Sequence, residues 1–447
     1  MTRRVIVVGG GIAGVAAALD LAAAGIDTTL LERRKQLGGR ATSFRDPDEG
    51  RLLDNGQHVV LGACTELLSF LEALGVSDRI AWRRAIHLRA PGGERATIAP
   101  FPLLGPLAFL PSLVTMGWLT ASERLAAIRV ARRLRKWDFH REAGERETFA
   151  EFLSRLEQPP RVVSRLWGPI VTSALNELPE RASARASLAM LRDAFVAGPE
   201  AGRMGVPRVP LSEIFDVAAR AALERAGVEV LVGTEAAGVV RANGHVRLSE
   251  GTDVRADAIV LAVPLPAVAK LLPAADLDAA GLRPALEIGV SPIVSAHFFF
   301  DPEVAIPEGE LALVETTAQW VFDRHAASGR DDDRGHLAVV VSAARSLVDA
   351  PREEIEDRLL DDVRAAVPSA RDRRPRRVVV VKERAATFAA VPGAEERRPP
   401  ETTHLERLFL AGDACATGWP ATMEGAVRSG RAAARAVRGA VSAAALS

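Results

Sequence analysis

The sequence contains no tyrosine and only two cysteines among its 447 residues. Cys64 and Cys415 lie far apart and have no metal-ligand spacing, so we expect two reduced thiols rather than a disulfide framework. The eight histidines form no H-E-x-x-H cluster, and no metal site is predicted. The 57 basic and 57 acidic residues balance, which argues against a general nucleic-acid-binding surface.

The N-terminal segment predicts a strand, a glycine turn and a helix. Residues 2–8 have the composition of a short buried strand, and residues 15–24 that of an alanine-rich helix ending at Gly25. Because the strand begins within five residues of Met1, no signal peptide is expected. The length of 447 residues predicts two or more domains, with cores large enough to need no disulfide.

Between this strand and helix, Gly9, Gly11 and Gly14 form the pattern G-x-G-x-x-G. These glycines permit a tight turn, let the backbone approach a pyrophosphate, and let the helix N-terminus direct its N–H groups at the phosphates. Glu32 ends a second predicted strand, where its carboxylate would accept from a ribose hydroxyl. An acidic residue there indicates FAD or NAD rather than NADP. A glycine turn without a ligand is the alternative.

Two further loops have the composition of a cofactor site. Gly38 and Gly39 precede Arg40, whose guanidinium would neutralise pyrophosphate charge, although an ordinary flexible turn is the alternative for the two glycines. A second loop follows at residues 53–58, with the sequence Leu-Asp-Asn-Gly-Gln-His. Residues 65–74 form an amphipathic helix closed by Gly75, which completes a first nucleotide-binding unit at about residue 80.

The C-terminal segment favours FAD over NAD. A strand at residues 408–411 runs into Gly412 and Asp413, and residues 420–430 begin a helix. An aspartate at a strand end can accept from a ribityl hydroxyl, and the following helix N-terminus can hold the electron-rich pyrimidine end of a reduced isoalloxazine. Nicotinamide enzymes do not need this second, distant motif.

Residues 96–122 contain no charged side chain and are rich in leucine, phenylalanine and other apolar residues. Four prolines, at positions 100, 102, 106 and 111, exclude a continuous membrane-spanning helix. Two interpretations stay open: a buried lining of the substrate domain, or a surface element that dips into a bilayer leaflet. The basic cluster that follows, Arg132, Arg133, Arg135 and Lys136, is either a solvated face or a contact for anionic lipid.

The remaining pattern predicts an interrupted first domain. Residues 81–205 read as mainly helical, with capping boxes at 120–123 and 148–151. A helix at 211–226, a strand at 228–232, a hairpin around Asn243-Gly244 and a strand at 258–263 would return the chain to the first sheet. Strands at 293–300, 337–342 and 378–381, and a helix at 349–367, predict a second sheet domain. The FAD-binding domain would comprise residues 1–80, 206–283 and 396–447, and the substrate-binding domain residues 81–205 and 284–395.

These motifs resemble the FAD-dependent amine oxidase and phytoene desaturase superfamily, and within it the hydroxysqualene dehydroxylases, or squalene-associated FAD-dependent desaturases. Motifs typical of that subfamily are residues 54–58, 291–294, 383–388 and 418–424. The resemblance implies an α/β fold, with a Rossmann-like, GR2-type FAD-binding domain and an inserted α+β substrate domain that has a helical, apolar subregion. It implies that FAD is bound by Gly9, Gly11, Ile12, Ala13, Gly14, Glu32, Arg33, Gly38, Gly39, Arg40, Asn55, Gly56, Gln57, His58, Ala236, Val263, Gly412, Asp413, Thr422, Met423 and Glu424.

The resemblance also implies a reaction, the reductive removal of the allylic hydroxyl of hydroxysqualene to give squalene for hopanoid synthesis. Amine-oxidising members carry a lysine near the flavin and monoamine oxidases a pair of tyrosines, whereas residues 290–297 lack lysine and the chain lacks tyrosine. An acid must protonate the departing hydroxyl, and His58 and Glu424 are the candidates. A structural hydrogen bond is the alternative for His58, and a helix-end contact for Glu424.

Other functions stay open at this point. The same cofactor and an apolar cavity would also suit a desaturase or isomerase of another polyprenoid such as phytoene. The superfamily also includes prenyl carriers that do not use flavin, and the complete pyrophosphate fingerprint argues against that role. A nicotinamide dehydrogenase lacks support because no second nucleotide fingerprint is present. We expect a cytoplasmic protein, peripheral at the membrane face, with squalene-pathway synthases as upstream partners.

Overall fold

The computed structural model describes residues 4–134, 144, 146–240 and 244–446. Its strands are β1 Arg4–Val8, β2 Asp27–Glu32, β3 Ser43–Arg45, β4 Leu52–Asp54, β5 Val60–Leu61, β6 Ile80–Arg83, β7 Ile86–Arg89, β8 Arg95–Ile98, β9 Met204–Pro207, β10 Glu229–Val232, β11 Ala236–Val240, β12 His245–Leu248, β13 Asp253–Arg255, β14 Ala258–Leu261, β15 Val290–Phe300, β16 Glu310–Leu313, β17 Trp320–Asp323, β18 His336–Val341, β19 Pro375–Phe388 and β20 Leu408–Leu410. Its α-helices are α1 Ile12–Ala23, α2 Thr65–Leu74, α3 Leu110–Thr115, α4 Ala121–Leu134, α5 Phe149–Arg155, α6 Pro160–Val162, α7 Gly168–Leu175, α8 Ala184–Phe195, α9 Ala219–Arg225, α10 Leu265–Leu271, α11 Ala274–Ala279, α12 Arg283–Leu286, α13 Arg324–Ser328, α14 Arg352–Ala366 and α15 Met423–Leu446.

The first sheet has five parallel strands in the order β10-β2-β1-β14-β20. The side chains of strand β1 are apolar on both faces, and both faces of the strand are buried. Val5 and Val7 pack into one hydrophobic core with α1 and α15, and Ile6 and Val8 into another on the opposite side. This doubly wound arrangement confirms the predicted Rossmann-like fold, and it places the carboxyl ends of β1, β14 and β20 at one edge.

The second sheet has seven strands in the order β19-β15-β18-β17-β16-β7-β8. Side chains alternate across β15, so Val294, Ala296 and Phe298 enter a core that also contains residues of α14. The other face carries Ile293, Ser295 and His297 and is turned toward the first domain. A third, three-stranded sheet in the order β5-β9-β6 lies between the two large sheets.

The helical subregion packs around its own hydrophobic core. Residues of α4, α5, α7 and α8 bury Trp118, Phe149, Phe152 and Trp167 with the apolar segment that follows β8. The predicted capping box at Thr148 caps the N-terminus of α5. Thr120 and Glu123 make the reciprocal bonds of a second capping box at the start of α4. No helix within the described residues is both long enough and apolar enough to cross a bilayer.

Several boundaries differ from those predicted. β19 runs over fourteen residues rather than four, because it pairs with β15 along nearly its whole length. The predicted strand 258–263 ends at Leu261, where the chain turns toward the glycine motif. Asn243 of the predicted hairpin, and Arg135 and Lys136 of the basic cluster, lie outside the described residues. The domain boundaries stay a prediction.

Candidate active site

The glycine motif forms a turn too tight for side chains. Gly9 has φ 110°, and an added Cβ would approach the Ala262 carbonyl oxygen well inside 3.0 Å. An added Cβ on Gly14 would overlap the carbonyl oxygen of Gly9 in the same way. Gly11 is the N-cap of α1 and supplies no side-chain cap. No side chain of the N-cap therefore occupies the first-turn N–H groups of this helix, which could donate to an anionic ligand. Cofactor binding at Ile12 and Ala13 stays a prediction.

Glu32 is fixed beside this turn by the backbone. Its Oε2 accepts from the Gly10 N–H at 2.7 Å and its Oε1 from the Arg34 N–H at 2.7 Å. A carboxylate oxygen has a second lone pair, so both oxygens keep an acceptor site for ribose hydroxyls. Arg33, in contrast, is exposed.

Ala236 and Val263 lie near the same end of the site. The N–H of Thr234, two residues before Ala236, donates to the backbone carbonyl of Glu32 at 3.0 Å. The Cγ1 of Val263 would be 2.9 Å from a Cβ on Gly9, which places Val263 against the glycine turn.

Arg40 and Asp413 form an ion pair although they are 373 positions apart. Arg40 Nη1 also donates to the Ala386 carbonyl at 2.9 Å, and the Asp413 carboxylate raises the pKa of the Arg40 guanidinium. The two predicted cofactor ligands, one from each end of the chain, therefore meet at one place. Gly412 has φ 144°, and an added Cβ there would meet nothing within 4 Å, so open space lies beside the pair.

Gly38 and Gly39 form the other wall of the turn. Gly38 bridges to Gly11, and an added Cβ on Gly39 would lie 3.1 Å from the Gly11 Cα. Both glycines have positive φ, at 96° and 62°. The flexible-turn alternative is therefore not needed, since the backbone contact itself requires glycine at these positions.

Hydrogen bonds from Asn55, Gln57 and His58 hold the loop of residues 55–58 in place. Asn55 Nδ2 donates to the Arg40 carbonyl at 2.8 Å, while its buried Oδ1 has no partner in the structure. Gln57 Oε1 accepts from Arg324 at 2.8 Å. His58 Nδ1 donates to the Gly56 carbonyl at 2.9 Å, and burial lowers the pKa of this imidazole. A neutral His58 is a poor proton donor, and its contact favours the structural alternative.

Glu424 is fully buried and caps a helix from outside it. Its carboxylate accepts from the N–H groups of Leu67 at 2.7 Å and Glu66 at 3.3 Å, in the first turn of α2. Arg428 Nε donates to the same carboxylate at 2.6 Å. Because three donors surround an ion-paired carboxylate, these contacts favour the helix-end role over the catalytic one.

The C-terminal helix begins as predicted. Thr422 Oγ1 accepts from the Gly425 N–H at 3.1 Å, so Thr422 acts as the N-cap and Met423 is the first residue of α15. Gly430 lies where α15 crosses α1, and an added Cβ would overlap the Ala13 carbonyl oxygen. This close crossing puts the N-termini of both helices beside the Gly9 and Gly412 turns.

Two important residues gave no recognisable signal in the sequence. Arg398 is buried, its guanidinium stacks 4.8 Å from the Phe388 ring, and its Nη2 donates to the carbonyl of Asp413 at 3.2 Å. Ser429 is fully buried and its Oγ accepts from the Gly412 N–H at 2.8 Å. Both stabilise the Gly412–Asp413 turn through contacts that no spacing rule describes.

The site fits a dinucleotide flavin. Two helix N-termini could bind the pyrophosphate, and the Glu32 carboxylate could accept from the ribose hydroxyls. The unpaired Asn55 oxygen and the open space beside Gly412 suit the ribityl part of the cofactor. Among the described residues, no group of three or more His, Cys, Asp or Glu side chains could hold a metal ion.

An apolar cavity of about 70 Å³ lies in the helical subregion. Its walls are almost wholly hydrocarbon and come from the segment after β8 and from α4, α7 and α8, including Leu107, Phe109, Leu110, Leu113, Trp167 and Phe195. The hydrophobic core around it reaches Ala414 and Ala421, next to Asp413 and Thr422. Apolar packing therefore extends from the cavity to the cofactor motifs.

Comparisons with known proteins identify the family of this chain. The family model described as flavin containing amine oxidoreductase matches residues 12–438. Hydroxysqualene dehydroxylase of Sinorhizobium fredii is 32% identical over 449 residues, covering 97% of this chain and 98% of that protein. The chloroplastic/chromoplastic 15-cis-phytoene desaturase of Narcissus pseudonarcissus is 26% identical, covering 97% and 79%. A crystal structure of an oxidoreductase from Methanosarcina mazei has a TM-score of 0.73 at 17% identity, covering 96% and 98%, which concerns the fold alone. This chain belongs to the flavin-containing amine oxidoreductase family and is an FAD-dependent oxidoreductase.

Proposed function

We propose that this protein removes the allylic hydroxyl of hydroxysqualene reductively and releases squalene. The observation that carries the proposal is the hydrophobic core that extends from the helical subregion to Ala414 and Ala421, because it makes the surroundings of the cofactor motifs apolar, as a hydrocarbon substrate requires. The dehydroxylase relative supports this substrate more strongly than the phytoene desaturase relative, because its identity is higher and the alignment spans nearly all of it. Squalene is a precursor of hopanoids, and synthases that make the hydroxylated substrate would act upstream.

Bound FAD, once reduced, supplies a hydride equivalent to the carbon that loses its hydroxyl. The residues of this chain hold and enclose the reacting groups. Glu32 and the first turn of α1 hold the adenosine and pyrophosphate end, and Arg40 with Asp413 lies near the middle of the site. Apolar packing beside the cofactor motifs would exclude water, which would protect an allylic cation from recapture.

The proton for the departing hydroxyl needs a donor. His58 and Glu424 stay predictions, and their contacts favour structural roles. Glu383 is an additional candidate: it pairs with Ile293, so its side chain lies on the sheet face that meets the first domain, near Arg40. Within the described residues, no hydrogen bond or ion pair holds its half-buried carboxylate. A bulge follows it, in which residues 384–386 oppose Pro292, and bulges of this kind redirect side chains beside active sites.

The test is anaerobic incubation of the photoreduced holoenzyme with hydroxysqualene. We expect flavin reoxidation and squalene formation in equal amounts and at one rate. Parallel incubation of the oxidised enzyme with phytoene tests the desaturase alternative. Phytoene desaturation without squalene formation contradicts the proposal, and purified protein without a flavin absorption band favours the prenyl carrier.

We further propose peripheral binding at the cytoplasmic face of the membrane. Part of the apolar segment is buried and part is exposed: Met116, Trp118 and Leu119 are buried, whereas Phe101 and Leu103 are 49% and 87% exposed. Leu104, Val114 and Leu125 are also exposed, and Arg129, Arg132 and Arg133 of the neighbouring helix are exposed cations. Exposed apolar side chains beside cations suit an anionic leaflet.

Vesicle binding tests this surface. The double variant Phe101→Ser/Leu103→Ser should lower partitioning onto vesicles of phosphatidylglycerol and phosphatidylcholine by about 10-fold or more, since each buried side chain contributes about 1.5–3 kcal/mol. Val217→Ser is the matched control, because Val217 is 61% exposed and belongs to the helical residues Glu213–Ala218, outside the apolar segment. Equal partitioning of the double variant and the control contradicts the proposed surface.

A further inference from the structure

Two buried histidines form a hydrogen-bonded pair that the proposed reaction does not use. His297 on β15 is 2% exposed and His336 on β18 is 4% exposed. His297 Nδ1 lies 3.0 Å from His336 Nε2, and His297 Nε2 lies 2.9 Å from the carbonyl oxygen of Asp54. The pair therefore joins the second sheet to the strand end that precedes the residue 55–58 loop.

The protonation of the pair follows from its partners. A carbonyl oxygen only accepts, so His297 must donate from Nε2 and, when neutral, accept at Nδ1 from His336 Nε2. Burial lowers the pKa of His297 to about 3 and that of His336 to about 4, against the opposing effect of Asp333, so both rings are neutral at pH 7. Among the described residues, His336 Nδ1 has no hydrogen-bond partner, and the Asp333 carboxylate lies 3.7 Å from it. Each ring thus has one tautomer, and the donors all point toward Asp54.

Asp54 is also held from the other side. Its Oδ1 accepts from Ser43 Oγ at 2.7 Å and from the Leu211 N–H at 2.9 Å, both within the first domain. Two residues later, a Cβ on Gly56 would be 3.2 Å from Ser295 Oγ on β15. The loop therefore lies directly on the second sheet. The His297 hydrogen bond fixes the position and orientation of the loop backbone where it leaves β4.

We propose that His297 and His336 are positioning residues that set the residue 55–58 loop against FAD. His336 orients the His297 ring, and His297 anchors the Asp54 carbonyl to the second sheet. The assignment rests on the FAD site and not on the identity of the substrate, so its test is independent of hydroxysqualene turnover.

The test compares two substitutions of His297 by FAD affinity and flavin spectrum. His297→Leu removes the donor and leaves the buried Asp54 carbonyl without a partner, which should weaken FAD binding about 10-fold and change the visible circular dichroism of the flavin. His297→Gln keeps an N–H donor near the Nε2 position and should restore affinity to within about threefold of wild type. Val294→Ala is the control, because Val294 is buried on the opposite face of the same strand.

His336→Phe provides a second, milder variant. It keeps a ring against Phe299, whose centroid is 4.4 Å from that of His336, but removes the donor to His297. We expect a weakening between those of His297→Gln and His297→Leu, and this variant decides the question if His297→Leu does not fold. The proposal is overturned if His297→Leu or His336→Phe has the wild-type FAD affinity and spectrum. It is also overturned if His297→Gln is as weak as His297→Leu, since packing alone would then explain the loss.

Discussion

Gly430→Ala tests whether the crossing of α15 over α1 builds the cofactor site. The added methyl group would overlap the Ala13 carbonyl oxygen and crowd the Ala17 backbone nitrogen at 3.1 Å. These are backbone atoms of a buried helix, so relief requires the two helices to move apart. Since the N-termini of both helices border the site, we expect the variant to lose FAD affinity as well as stability.

The size of the effect follows from two opposing terms. Replacing a helical glycine by alanine stabilises by about 1 kcal/mol through backbone entropy. Overpacking a close contact destabilises by about 1–3 kcal/mol, and contact with backbone favours the upper part of that range. Gly439→Ala isolates the first term, because Gly439 lies on the same helix and an added Cβ there meets nothing within 4 Å. The two variants should therefore differ by about 2 kcal/mol or more in unfolding free energy.

Chemical denaturation is the appropriate assay. For a chain of this length, 1 kcal/mol changes Tm by only about 1 °C, whereas a denaturant titration resolves it readily. Flavin release, followed by the recovery of FAD fluorescence, reports the site in the same titration. If Gly430→Ala is as stable as Gly439→Ala and binds FAD equally well, the crossing does not set the site and the reasoning is wrong.

Three further predictions concern buried polar groups. Glu424→Ala should cost about 3 kcal/mol in unfolding free energy by denaturant titration, because the α2 N–H groups and Arg428 lose their partner. Burial raises the pKa of Cys64 and of Cys415 to about 12, so neither thiol should react with a maleimide at pH 8 until denaturant is added. Burial lowers the pKa of His336 to about 4, so on acidification the imidazole is protonated in the unfolded chain before it is protonated in the folded chain. The stability that the neutral His336 gives the folded state is therefore complete above about pH 6.5 and is lost as the pH falls toward 4. Urea titrations at pH 7, 6, 5 and 4 measure that loss.

The sequence predicted the features whose cause is local. The tight turn at Gly9 and Gly14 was predicted correctly, because a turn between strand and helix leaves no room for a Cβ and six neighbouring residues determine it. The Gly75 helix stop and the Thr148 capping box are equally local, and both are confirmed. Arg40 and Asp413 were each predicted as cofactor ligands, but the ion pair that joins them was not predicted.

Features that depend on distant partners were not predictable from spacing. Glu424 was placed near the cofactor, but its partners are amides of α2 more than 350 positions earlier in the chain. Arg398 stabilises the Gly412–Asp413 turn from a segment that has no periodic pattern. The length of β19 depends on its pairing with β15, and this long-range contact leaves no mark in the propensity of residues 375–377.

The strand order of the first sheet has a consequence for biosynthesis. Strand β1 pairs with β14, and β14 with the edge strand β20, although these strands follow β1 by some 250 and 400 residues. At about 5–20 residues per second, a ribosome needs on the order of 20–80 s to pass from β1 to the segment that carries Asp413 and α15. During synthesis β1 can pair with β2, but its other edge has no partner until β14 is made. The complete FAD site can therefore form only after the Asp413 segment has been made.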